Sequence, residues 1–176
     1  MRRIVLSAVV AAVGIGLVAA STGGAQNPGQ GQGPGRTIVL YEKEEGGSFR
    51  FVDAKPFTRL TARGPRKTSV GDAVVLGVPL FSDAGTTQRA GRLRARCVAM
   101  SASRRFDRVS YMCDGIFKLA VGTIAVSALV KFSEAATTFQ LAVVGGTGAY
   151  EGANGQVTIE DFEGGGSRDT IHLVTG

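Results

Sequence analysis

The sequence is poor in metal-binding side chains, with one histidine and two cysteines in 176 residues. That excludes a zinc finger, a haem-binding repeat and a multi-histidine centre, so no metal site is expected. Charge is sparse as well: charged residues make up 19% against 44% hydrophobic, with 26 glycines. A highly charged disordered chain and a coiled coil are thereby excluded. Beyond residue 20 no stretch is long and apolar enough to cross a membrane as a helix, so no stable span is expected after processing. No cysteine lies near the N-terminal processing region, so a lipoprotein anchor has no support. The excess of positive charge is small, 20 Lys+Arg against 14 Asp+Glu. It permits acidic partners without demanding them.

What is present begins with an export signal. Arg2 and Arg3 precede an uncharged run over residues 4–20, broken by Gly14 and Gly16. Small residues follow, with cleavage sites after Ala20 or Ala25. The alternative is an uncleaved anchor, but no basic cluster follows as a stop-transfer flank. Residues 1–25 are read as a secretory signal peptide and the protein as secreted or periplasmic, by either the general or the twin-arginine route. Removing them takes away two arginines and leaves 18 basic against 14 acidic residues. Residues 26–35, QNPGQGQGPG, cannot bury enough apolar area to offset their ordering entropy and form a flexible leader. The folded domain is expected over 36–176, a length that suits one core.

From residue 36 the pattern is strand-like. Alternation and glycine breaks predict strands at 37–44, 48–52, 73–81, 89–100, 108–119, 123–132, 138–144, 156–162 and 170–174. Eight or nine strands with little helix suggest a closed barrel or a sandwich. Parity sorts the faces. Leu93, Ala95, Cys97 and Ala99 share one face and Arg92, Arg94 and Arg96 the other. Arginines require water or acidic partners, so the cysteine face is inside. In the next strand Val109, Tyr111, Cys113, Gly115 and Phe117 form the apolar face. A hairpin centred near Arg105 pairs positions that sum to 210, and Cys97 then faces Cys113. Parity, register and export together predict a cross-strand disulfide; two free buried thiols are the alternative.

The first strand puts Ile38, Leu40, Glu42 and Glu44 on one face. An apolar stripe thus ends in two carboxylates about 7 Å apart. If that stripe lines a barrel, Glu42 sits near its mouth, where desolvation and a neighbouring charge favour a general acid or a proton-sharing pair. If the strand is leaving the barrel, both glutamates are simply solvated. Lys67 in GPRKTS stands only three residues after its glycine, so this is no phosphate loop. Its basic run lacks interleaved aromatics, so no nucleic-acid partner is expected. His172 is read as a packed or surface residue.

AVVGGTGAYEGANGQVTIEDF, residues 142–162, resembles the signature of the allene oxide cyclase and dirigent proteins. The matching residues are Gly145, Gly146, Thr147, Gly148, Tyr150, Gly152, Ala153 and Gly155. GDAVVLGVPLFSDAG, the stretch from Gly91 to Cys97, and the closing DTIHLVTG are similar in order, so the resemblance covers about 135 residues. Four small residues in five at the Gly-Gly-Thr-Gly motif also favour a sharp reversal there. The resemblance implies an all-β, eight-stranded antiparallel barrel, often a trimer, with an apolar cavity. It implies steering or cyclisation of a small apolar or phenolic metabolite without a metal or organic cofactor. Glu42 matches the cyclase's first-strand glutamate and Cys97 its cavity cysteine, while Glu44 and Val78 or Pro79 replace its two asparagines. The expected site is therefore Glu42 and Glu44 as proton-handling groups, with Tyr111, Leu40 and Phe117 contacting ligand. The alternative is a non-catalytic exported barrel, an envelope or protein-interaction module working through its arginine ridge.

Overall fold

The short period-two segments form one sheet that curls until its ends meet. The computed structural model describes residues 35–54, 60–61, 64–65, 67–132, 137–163 and 165–174. The expected signal peptide, and all of the leader but Gly35, lie outside these. The strands are β1 (Arg36–Glu42), β2 (Ser48–Val52), β3 (Leu60–Thr61), β4 (Gly64–Pro65), β5 (Ala73–Phe81), β6 (Arg89–Ala99), β7 (Tyr111–Leu119), β8 (Gly122–Val130), β9 (Thr138–Gly148), β10 (Asn154–Asp161) and β11 (Ser167–Val174). One 3-10 turn, Phe106–Arg108, joins β6 to β7. Among the described residues no helix is long and apolar enough to cross a membrane.

The order β1-β11-β10-β9-β8-β7-β6-β5 is antiparallel throughout, and β5 returns to β1 through Tyr41↔Phe81 and Glu42↔Leu80. The result is a closed eight-stranded barrel, which leaves no long unpaired edge among these strands. β2 lies outside it: after the turn at residues 43–47 it runs on along β5, pairing Ser48↔Gly77 to Val52↔Ala73. β3 and β4 make a separate two-stranded ladder.

The predicted hairpin register holds. Ala95 faces Gly115, Cys97 faces Cys113 and Ala99 faces Tyr111. Cys97 and Cys113 form a disulfide. Arg94 and Arg96 point out, while Leu93 and Cys97 are buried.

The Gly-Gly-Thr-Gly segment departs from expectation. It lies within β9, where Gly145, Gly146, Thr147 and Gly148 pair with Ala125, Ile124, Thr123 and Gly122. The reversal comes at residues 149–153, closed by Tyr150 N–H donating to the Thr147 carbonyl and Ala153 N–H to the Tyr150 carbonyl. The reason is packing. Tyr150 folds inward to 5% exposure, and a Cβ on Gly146 would lie 2.3 Å from the Tyr150 carbonyl oxygen. The glycines make room for this aromatic plug.

Candidate functional site

The inner wall is apolar over most of its height. Leu40, Leu80, Leu93, Phe117, Ile124 and Tyr150 belong to one buried cluster, with Val157 and Ile171 beside them. A second cluster holds Val74, Ala99, Val109, Tyr111 and the Cys97–Cys113 pair. Phe117 and Tyr111 are fully buried and Leu40 nearly so. These layers are filled by side chains rather than hollow, so the expected apolar cavity is occupied where the core residues meet. Two open depressions, of about 230 and 380 Å³, lie at residues 129–131 with 138–140 and at residues 89–92 with 118–120. Neither is lined by Glu42.

The apolar wall is interrupted where β11 runs between β1 and β10. Glu42 follows Leu40 by two residues and therefore shares its inward face. Across the sheet Glu42 faces Ser167, which faces Asp161; Leu40 faces Asp169, which faces Ile159. Asp169 is fully buried and Ser167 is 2% exposed, while Glu42 is part-buried. Gly166 (φ +84) lets the preceding loop close against this point, since a Cβ there would lie 2.5 Å from the Glu42 carbonyl oxygen.

The Glu42 and Asp169 carboxyls lie close enough to hydrogen-bond to each other. Two ionised carboxylates have no donor to share, so this contact requires one proton between them. Glu42 Oε1 and Asp169 Oδ2 are buried and accept from no donor among the described residues. Ser167 Oγ donates to Asp169 Oδ1 at 3.4 Å and also reaches Glu42. Burial, then the Glu42 charge, pushes the Asp169 pKa up to about 9. Burial also raises Glu42, against the lowering effect of its bonds to Asp169 and Ser167. The magnitudes favour a single proton: two like charges about 4 Å apart repel by about 4 kcal/mol at an effective dielectric of 20. Among the described residues no ion pair offsets this, for Lys43, Arg105 and Arg168 pair with Glu45, Asp107 and Glu160.

Two more acids flank the pair. Asp161 is raised by burial and by the Glu44 charge. Glu44 is exposed and lies beyond the end of β1, in the turn, rather than two rises along the strand. Its carboxyl rests against Gly165, whose Cβ would be 3.0 Å from it. Glu42 and Glu44 thus stay at one end of the barrel without sharing a strand face. Tyr111 stands apart, in the disulfide cluster; burial raises its hydroxyl pKa and a bond to Thr68 lowers it. Leu40 and Phe117 are core residues of the cluster next to the pair. His172 is exposed and contacts Thr37 Oγ1 at 3.0 Å.

Asp169 is the member sequence reasoning missed. Its signal was parity: Ser167, Asp169, Ile171 and Leu173 alternate as the buried face of β11. Chemically, a buried carboxyl–carboxylate pair can give a proton to, or take one from, a group reaching the accessible side of Glu42.

No protein-family profile matches the chain, and no curated protein matches it significantly. Solved structures share the barrel. A pyocyanin demethylase aligns at 18% identity over 78% of this chain and 99% of its own, with a TM-score of 0.58. A pterocarpan synthase dirigent protein aligns at 16% over 81% and 95%, TM-score 0.55. An exo-specific intermolecular Diels-Alderase aligns at 16% over 81% and 100%, TM-score 0.53. The chain is similar to these in fold: dirigent and cyclase-type barrels.

Proposed function

We propose that this is an exported barrel that binds a small apolar or phenolic metabolite at the end where Glu42 and Asp169 share a proton, and steers or cyclises it without a cofactor. The observation that carries this reading is the carboxyl pair itself, set into an apolar wall with no basic partner among the described residues. Burying two acids in an apolar wall costs stability, and groups perturbed in this way cluster at functional sites. The fold likeness to a dirigent protein and a Diels-Alderase supports the ligand class. The disulfide and the N-terminal apolar run support export.

In this reading the shared proton passes from the pair to a ligand oxygen beside Glu42, and the same oxygen returns it to the pair once the new bond has formed. The cycle consumes no electrons. Ser167 orients Asp169 throughout, and Glu44 with Asp161 keeps the mouth acidic. Leu40 and Phe117 form the wall below, so an entering ligand displaces side chains there or stays at the mouth. Tyr111 acts on the ligand only if the ligand reaches the disulfide cluster.

Native mass spectrometry of protein purified from its own host tests the proposal. The expected result is a retained small molecule that is lost in Glu42→Gln. Equal retention by Glu42→Gln would remove Glu42 from the site. No retained molecule would favour the second reading, a non-catalytic envelope or interaction module, for which the filled interior is the favouring observation.

A further inference from the structure

The outer face of the sheet carries a row of cations with no ion-pair partner among the described residues. On β6, Arg92, Arg94 and Arg96 face outward, about 7 Å between neighbours. The register puts Arg50 of β2 level with Val75 and Arg96, and Lys118 of β7 beside Arg92. Arg92 donates to the Gly77 carbonyl at 3.2 Å and lies across β5. Arg50, Arg94, Arg96 and Lys118 are exposed. Asp114 is the acid in these rows, opposite Arg96, and it accepts from Ser127 Oγ at 2.8 Å instead. Among the described residues no ion pair involves any of the five cations. The sequence that follows β2, residues 55–66, adds Lys55, Arg59, Arg63 and Arg66 and no acid.

Aliphatic side chains alternate with these cations. Val75 is 39% exposed between Arg50 and Arg96, and Ile116 is 50% exposed opposite Arg94. Leu129 follows at 65% on β8, opposite Met112. An acidic polymer would neutralise the arginines but leave the aliphatics in water. A lipid interface satisfies both, with headgroup phosphates on the guanidinium groups and the aliphatic tips in the boundary layer.

We propose that the β2-β5-β6-β7 face docks the barrel on an anionic lipid surface through Arg50, Arg92, Arg94, Arg96 and Lys118, with Val75 and Ile116 at the lipid boundary. The association is peripheral, salt-sensitive and independent of the carboxyl pair on the inner wall.

The test is co-sedimentation of the full chain with vesicles of phosphatidylcholine and phosphatidylglycerol (about three to one), against phosphatidylcholine alone. Any contribution from the N-terminal run is common to all variants. Binding to the anionic vesicles is expected to fall on the order of 100-fold when Arg92→Gln, Arg94→Gln and Arg96→Gln are combined. Ile116→Ser should weaken it less, and Asp114→Asn, which removes the opposing charge, should tighten it. Asp114→Asn also serves where the triple variant fails to fold. Equal binding by the parent and by the triple or the Asp114→Asn variant would overturn the proposal. So would binding to an acidic polysaccharide such as heparin with none to the anionic vesicles.

Discussion

At the scale of single residues, Asp169 sets the chemistry. A carboxyl raised to about 9 in the folded chain, against about 3.8 unfolded, keeps its proton across neutral pH only while folded. The folded state therefore binds more protons than the unfolded one through that window, and stability falls as pH rises. The contribution is complete below the unfolded pKa and is lost as pH passes through the folded one. Asp169→Asn keeps a hydrogen-bond donor toward Glu42 but removes the titration. Thermal unfolding should show it more stable than the parent at pH 8, by at least about 3 °C, and less pH-dependent between about 4 and 9. A variant that loses stability at pH 8 would mean the buried carboxyl is ionised and paired elsewhere. Phe117→Ala tests the neighbouring wall. Phe117 is fully buried, so its loss should cost about 3–5 kcal/mol in denaturant unfolding if the layer is filled, and far less if it borders a hollow.

At the scale of elements, β6 and β7 were legible because, apart from Gly91 and Gly115, their side chains report by polarity which face they are on. Arg94 and Arg96 outside, Leu93 and Cys97 inside, fixed both strands and their register. The disulfide closes a loop of the size for which the chain-entropy estimate is about 3 kcal/mol. Replacing Cys97 and Cys113 by Ala together should lower the melting temperature by roughly 10 °C, and reduction of the parent should match it. Three elements were harder to read. Glycines have no side chain to display a face, so residues 145–148 looked like a reversal although they continue β9, and only the inward Tyr150 explains them. Gly146→Ala should accordingly cost about 1–3 kcal/mol of stability through overpacking, a loss measurable by denaturant titration. The last strand was read as starting at residue 170 because Asp169 puts an acid on the face that Ile171 and Leu173 mark as apolar. It starts at Ser167, and the buried acid fell just outside the expected strand. Glu44 was placed on β1 by the same alternation, which knows nothing of where a strand leaves its partner; β1 ends at Glu42 and the chain turns.

At the scale of the whole molecule, the barrel and its outer strand differ in how they are held. β7 is paired on both sides and buries Tyr111, Cys113 and Phe117. Among the described residues β2 is paired only to β5, and Ser48, Phe49, Arg50 and Val52 are exposed. Hydrogen exchange should therefore run at least ~100-fold faster in β2 than in β7. Equal protection would mean that β2 is covered on its second edge.

The carboxyl pair joins these scales, because a barrel wall built to be apolar holds two acids of which Asp169 keeps its proton at neutral pH. Carbon-13 NMR of the side-chain carboxyls, followed from pH 3 to 10, measures this directly. Asp169 should hold its protonated shift past neutral pH and titrate near 9. A midpoint near 4 for both Asp169 and Glu42 would show two independent, solvated carboxylates and no proton to share.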